Sequence, residues 1–148
     1  MRVSTRVEYG MLALVDIAMY SESGSSVSTA DIAGRENISQ KYLEQILPLL
    51  RQAGLIKAQK GLKGGYYLSR SADKFTMSDI LNALDNSILE EMEVTGSVND
   101  GGLRDTVNSC LWGRINSELN RYVENMSFAD FLSECRNNTP GQWDLYSI

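Results

Sequence analysis

The sequence predicts a mainly α-helical fold with one small two-stranded hairpin and a long C-terminal helix. Three observations carry this. Ser or Thr followed three residues later by Asp or Glu recurs ahead of runs whose apolar residues repeat at three-and-four spacing. Only one stretch, Leu55 to Ser69, reads as paired strands, and its centre holds three glycines and two lysines. From Leu103 an apolar stripe runs for about 24 residues, roughly 36 Å of helix, which is longer than a small domain can cover by itself.

In chain order, Thr5-Arg6-Val7-Glu8 is expected to start a first helix with Val7, Met11, Leu14, Val15 and Ala18 on its apolar face, ending near Tyr20. A Ser/Gly loop follows. Ser28-Thr29-Ala30-Asp31 caps a short second helix, and Gly34 to Asn37 reads as a turn. The third helix begins after Ser39 and stops at Gly54. Leu43, Ile46, Leu47 and Leu50 form its inner stripe, and Lys41, Glu44, Gln45, Pro48 and Gln52 lie opposite. Pro48 lacks an N–H and is expected to kink the helix. After the hairpin, Thr76-Met77-Ser78-Asp79 caps a fourth helix, and 93–102 is a loop. The long helix carries Leu103, Val107, Leu111, Ile115, Leu119 and Val123 on its stripe. Ser127-Phe128-Ala129-Asp130 then starts a last helix to about Cys135, and an aromatic tail holds Trp143 and Tyr146, expected to pack within the chain. The expected organisation is a domain over 1–85, a loop over 86–102 and a dimerisation helix with tail over 103–148.

Composition narrows the chemistry. At 43% hydrophobic and 22% charged residues, the 148-residue chain resembles an ordinary globular protein. Its longest apolar stretch, Met11 to Val15, is far below the roughly 20 residues of a membrane span, so a cytoplasmic location without membrane contact is expected. Histidine is absent, which removes Ser-His-Asp and Cys-His catalysis and imidazole metal sites. Neither a phosphate loop nor an activated nucleophile can be assembled, so no enzyme is expected. Cys110 and Cys135 are the two cysteines. Cys110 sits on the apolar stripe and reads first as a buried thiol, with an oxidation sensor as the alternative.

The net charge of -5 conceals an asymmetry. Residues 1–75 hold ten Lys and Arg against seven acids, a net of +3, and residues 76–148 hold four against twelve, a net of -8. Three short helices followed by a hairpin is the order of a winged helix-turn-helix, whose third helix enters the DNA major groove. The residue types suit that task. Glu44 can accept from a cytosine amino group and Gln45 can pair with adenine, while Ser39, Lys41 and Tyr42 can hold phosphates. Lys60 and Lys63 at the wing tip match phosphate or minor groove, and Gly64 lets backbone approach the duplex.

The residues also resemble a known family, the Rrf-two family of bacterial winged-helix transcriptional regulators, the IscR/NsrR/CymR group. The resemblance rests on Arg2-Val3-Ser4-Thr5 with Tyr9, Ile38-Ser39 with Tyr42-Leu43-Glu44-Gln45, Leu50-Arg51 with Ala53-Gly54-Leu55, and Lys60-Gly61 with Gly64-Gly65-Tyr66 and Leu68. It covers 1–85, and Leu111-Trp112 resembles the start of the family's dimerisation helix. It implies a homodimer that binds a near-palindromic double-stranded operator, expected to act as a repressor. Tyr42, Glu44 and Gln45 would face the operator, Lys60 would stand where the family has a wing arginine, and Arg2, Ser4 and Arg6 would lie near phosphates. Glu8 departs from the family's basic residue. Members that hold an iron–sulfur cluster place three cysteines ahead of the long helix, and 86–109 contains none. The resemblance therefore implies a cluster-free branch with no metal or cofactor, regulated by a metabolic enzyme or a small-molecule effector. The alternative is a winged helix turned protein-interaction module without DNA affinity, favoured only by the overall acidity.

Overall fold

The computed structural model describes residues 2–22, 24–92 and 101–139. Helices α1 (Thr5–Tyr20), α2 (Thr29–Glu36) and α3 (Gln40–Gln52) precede strands β1 (Ile56–Gln59) and β2 (Gly65–Leu68). Then come α4 (Met77–Leu84), α5 (Leu103–Val107), α6 (Gly113–Asn125) and α7 (Phe128–Asn138). The strands are antiparallel with Ile56 opposite Leu68 and Gln59 opposite Gly65. The winged-helix order expected from the sequence is present. The predicted 93–102 loop falls largely on 93–100, outside the described residues, as do Trp143 and Tyr146.

Local chemistry explains most boundaries. Ser28 and Thr76 each accept from the backbone N–H three residues on, while Asp31 and Asp79 return the bond, so both capping boxes form as the sequence predicts. Ser127 caps α7 in the same way through the Asp130 N–H. The first helix differs by one residue, since its cap is Ser4, which accepts from Val7 N at 3.3 Å, and Thr5 is already helical. The second helix also runs further than expected, through Gly34 and Arg35 to Glu36. It ends at Asn37, whose φ of 55° is a conformation asparagine tolerates. Helix α3 continues through Pro48, which lies on the exposed side, where water can satisfy the Glu44 carbonyl it leaves unpaired. Gly54, at φ 77°, then turns the chain into β1.

One core holds these elements together. Leu14 and Ile17 of α1, Ile32 of α2, Leu43, Ile46, Leu47 and Leu50 of α3, Phe75 and Ile80 are fully buried. The buried face of α1 is Val7, Gly10, Ala13, Leu14, Ile17 and Ala18, so Met11 and Val15 flank it rather than centre it. Gly10 is required there, because a Cβ would stand 2.3 Å from Leu84 Cδ2. Val123, Phe128 and Leu132 join the same core. The C-terminal helices are anchored to the rest by backbone. Met77 N–H donates to Met126 O at 2.9 Å and Phe128 N–H to Phe75 O at 2.8 Å, on either side of a bridge between Thr76 and Ser127.

The long helix is the main departure. Between α5 and α6 the five residues Asn108–Trp112 form a wide π turn, in which Gly113 N–H reaches back to Asn108 O. Residues four apart advance about 40° beyond a full turn, so an apolar series at strict four-residue spacing winds around the helix. Leu103 is accordingly 80% exposed and Val123 only 4%. Val123, expected on the dimerisation stripe, is instead part of the chain's own core, and Leu119 packs partly against it. Cys110, expected as a core thiol, is exposed.

The core also buries a charge, directly after the apolar stretch Met11 to Val15. Asp16 is 1% exposed and accepts from Arg35 Nε at 2.9 Å and Arg35 Nη2 at 2.8 Å. The Arg35 guanidinium lies 3.8 Å from the Tyr20 ring centroid. Glu36 shares this corner, and burial together with the neighbouring Asp16 carboxylate pushes its carboxyl up to about 7. An acid whose folded pKa exceeds its unfolded value contributes most below the unfolded value, and that contribution is lost as pH rises through the folded one. Stability is therefore expected to fall from about pH 4.5 to about pH 7, and Glu36→Gln to flatten that slope in urea unfolding. An unchanged slope in the variant would assign the dependence to another group.

Candidate nucleic-acid interface

The expected reading helix has one buried and one open side. Leu43, Ile46, Leu47 and Leu50 hold α3 against α1 and α2, while Lys41, Glu44 and Gln45 are exposed. Ser39 precedes the helix and its Oγ accepts from Tyr42 N at 3.1 Å, leaving the hydroxyl proton free to donate to a phosphate. The same end of the helix presents backbone N–H groups and the positive pole of its dipole, so an anion fits there. Tyr42 is half-buried, and its ring meets Tyr9 of α1 edge-on at 5.4 Å. That contact fixes the ring direction, which the sequence did not disclose.

The wing is stiffer than a free hairpin. Val27 exchanges two backbone bonds with Tyr66, at 2.8 and 2.7 Å, an isolated bridge that ties the loop before α2 to the edge of the two-stranded sheet. Ser26 Oγ donates to Lys63 O at 2.7 Å, which ties the tip back to the loop before α2. Gly64 N–H donates to Gly61 O at 2.9 Å, and a Cβ on Gly64 would come within 2.7 Å of Gln59 O. Any larger residue there would open the turn. Lys60, Leu62 and Lys63 are exposed at this tip. Leu62 was not singled out in the sequence, although its place between two lysines and two glycines was the available signal.

The N-terminal residues divide. Arg2 is exposed, Ser4 is engaged as the α1 cap, and Arg6 stands 3.8 Å from Asp85 while remaining half exposed. A surface pair of that length is weak and leaves Arg6 able to exchange Asp85 for a phosphate. Hydrogen bonds from Ser87, with a smaller contribution from Arg6, hold the Asp85 carboxyl below its usual range.

The long helix supplies a separate surface. Leu103, Val107, Leu111, Trp112 and Ile115 are exposed large apolar residues spread along its first half. Iron chemistry finds little to bind. The chain has no histidine and two cysteines, Cys110 exposed on the π turn and Cys135 half-buried on α7. Among the described residues no three His, Cys, Asp or Glu side chains gather as a metal site. This donor set does not fit an iron centre built within one chain. Burial, together with Glu134, raises the Cys135 thiol pKa, which disfavours the thiolate a metal needs. No described helix is long and apolar enough to cross a membrane.

Known proteins share this arrangement. The family described as Rrf2, iron-dependent transcriptional regulator, matches residues 3–134. The HTH-type transcriptional regulator IscR of Cereibacter sphaeroides is 37% identical over an alignment covering 100% of this chain and 97% of the relative. Among solved structures, CymR, the global cysteine regulator of B. subtilis, superposes with a TM-score of 0.75 at 28% identity, covering 90% of this chain and 98% of that one. IscR of T. potens gives 0.73 at 28% identity, covering 99% and 96%. Fold, motif order and full-length similarity agree: the chain belongs to the Rrf2 family and is a DNA-binding transcriptional regulator, not an enzyme.

Proposed function

We propose that the protein acts in the cytoplasm as a homodimer on a near-palindromic operator, as a repressor, with α3 reading bases and the wing holding the flanking backbone. The observation that carries this is the division of α3, four fully inserted apolar residues on one side and Lys41, Glu44 and Gln45 free on the other. Glu44 and Gln45 read base edges, and Ser39, Lys41 and Tyr42 register the helix on phosphates. Lys60, Lys63 and the Gly64 turn grip the backbone beside the major groove, and Arg2, Ser4 and Arg6 add contacts at the start of α1. Leu103, Val107, Leu111 and Ile115 form the dimer surface. The overall acidity is compatible with DNA, because the acids concentrate in 76–148.

Selection of duplexes from a random pool, followed by salt titration, tests the reading. Binding is expected to weaken steeply with salt, and Lys60→Ala and Lys63→Ala each to reduce the salt slope by about one while weakening all sequences alike. Glu44→Ala is expected to relax preference at one base pair, a loss of roughly ten- to hundredfold discrimination. Uniform weakening by Glu44→Ala would make Glu44 a positioning residue. Failure to retain any duplex would favour the protein-interaction alternative.

A further inference from the structure

The wing ends in a tight turn whose apex carries an apolar residue beside a charged one. Gly64 N–H closes this turn on Gly61 O at 2.9 Å, which places Leu62 and Lys63 at its two central positions. Leu62 is 110% exposed, more than any other large apolar residue among the described ones, so it adds no packing to the fold. A lone exposed leucine on an ordinary surface calls for no explanation. Leu62 differs in its setting. Lys60 and Lys63 flank it, and Gly61 and Gly64 put no side chains beside it. The apex is also held in place, because Ser26 Oγ donates to Lys63 O at 2.7 Å and Val27 and Tyr66 exchange backbone bonds beneath it. Much of the ordering that binding would demand of this tip is therefore already met in the free chain.

A fixed apex with one apolar side chain between two positive charges suits a surface with anionic rims and an apolar floor. The DNA minor groove is such a surface, with phosphates along both edges and stacked bases beneath. It is about 6 Å wide, so a tip reaches the floor only where few side chains widen it. The two glycines meet that need, and Gly64 cannot be enlarged without its Cβ standing 2.7 Å from Gln59 O. Apolar side chains that reach the floor act as wedges, partly unstacking a base step and bending the duplex. The cost depends on the step, low at flexible pyrimidine–purine steps such as TA and CA and high in stiff A-tracts. We propose that Leu62 enters the minor groove flanking each half-site as such a wedge, so that the protein selects a pyrimidine–purine step there. This rests on the wing lying against the duplex, as proposed above. The lysines hold the rims while Leu62 chooses the step, and the tip carries specificity as well as affinity.

The test uses the full chain and duplexes selected from a random pool, resynthesised with TA, CA or AA at each flanking position in turn. The adenine of that step is replaced by a fluorescent analogue that brightens when it unstacks. The parent is expected to bind the TA and CA duplexes about fivefold or more tightly than the AA duplex, and to brighten the analogue at one flanking position. Leu62→Ala is expected to lose both responses while melting with the parent and keeping its salt slope, because the side chain is uncharged and adds no packing. Leu62→Met keeps an apolar wedge and is expected to retain both. A half-site bound at full strength with no flanking preference, or a preference and brightening that survive Leu62→Ala, would overturn the proposal and leave the reading by α3 intact. Retention of no duplex at all would remove both.

Discussion

Arg35→Ala is expected to destabilise the fold by about 3 kcal/mol, the lower end of the range for removing one partner of a buried ion pair, because the Arg35 side chain is 31% exposed. The substitution removes both Arg35 donors from the Asp16 carboxylate, which is 1% exposed in the intact fold. It also removes the cation over Tyr20 and a charge that partly offsets Glu36. For a chain of this size the corresponding drop in melting temperature is on the order of 10 °C. Asp16→Ala combined with Arg35→Ala should recover part of the loss, since no buried charge then remains. A denaturation midpoint unchanged in Arg35→Ala would show that the pair contributes little. The same result in the double variant as in the single would place the loss in packing rather than charge.

Leu111→Glu with Ile115→Glu is expected to convert the protein to monomers and to weaken operator binding by about 10²–10⁴, the usual gain from linking two half-site contacts. Both side chains are 45% exposed in the single chain, so the substitutions spare its core. Leu119 and Val123 would be poor choices, because both contribute to packing within the chain and their loss would confuse unfolding with dissociation. Sedimentation gives the mass and a melting curve shows whether the monomer is folded. A native protein already monomeric at micromolar concentration would refute the arrangement.

Features governed by neighbours three or four residues away were legible in the sequence. The caps at Ser28, Ser39, Thr76 and Ser127, the stripe Leu43 to Leu50 and the strands of the wing follow from such local rules. The exposed side of α3 was legible for the same reason, as the complement of its stripe. What escaped depended on partners far along the chain. Asp16 directly follows the apolar stretch Met11 to Val15, and its burial makes sense only with Arg35 folded against it. Val123 continues the spacing of Leu103 yet faces elsewhere, because a series of four-residue steps rotates around a helix. The π turn has no composition of its own, and it brings Asn108, Cys110 and Trp112 to places that a straight helix would not give them.

The paired starts of α4 and α7 have a mechanical consequence. Thr76 and Ser127 each cap a helix, and the bonds from Met77 to Met126 and from Phe128 to Phe75 fasten the two caps side by side. The long helix thus behaves as a lever whose fulcrum is bolted to the DNA-binding body, with no pliant hinge at that joint. In a two-fold assembly the span between reading helices becomes a fixed length, like the jaw opening of a gauge. Inserting a single base pair between operator half-sites would then shift one reading helix by about 3.4 Å along the duplex and about a tenth of a turn around it. A rigid joint cannot absorb that offset, so a two-fold assembly of this kind would measure the distance between half-sites as well as their sequence.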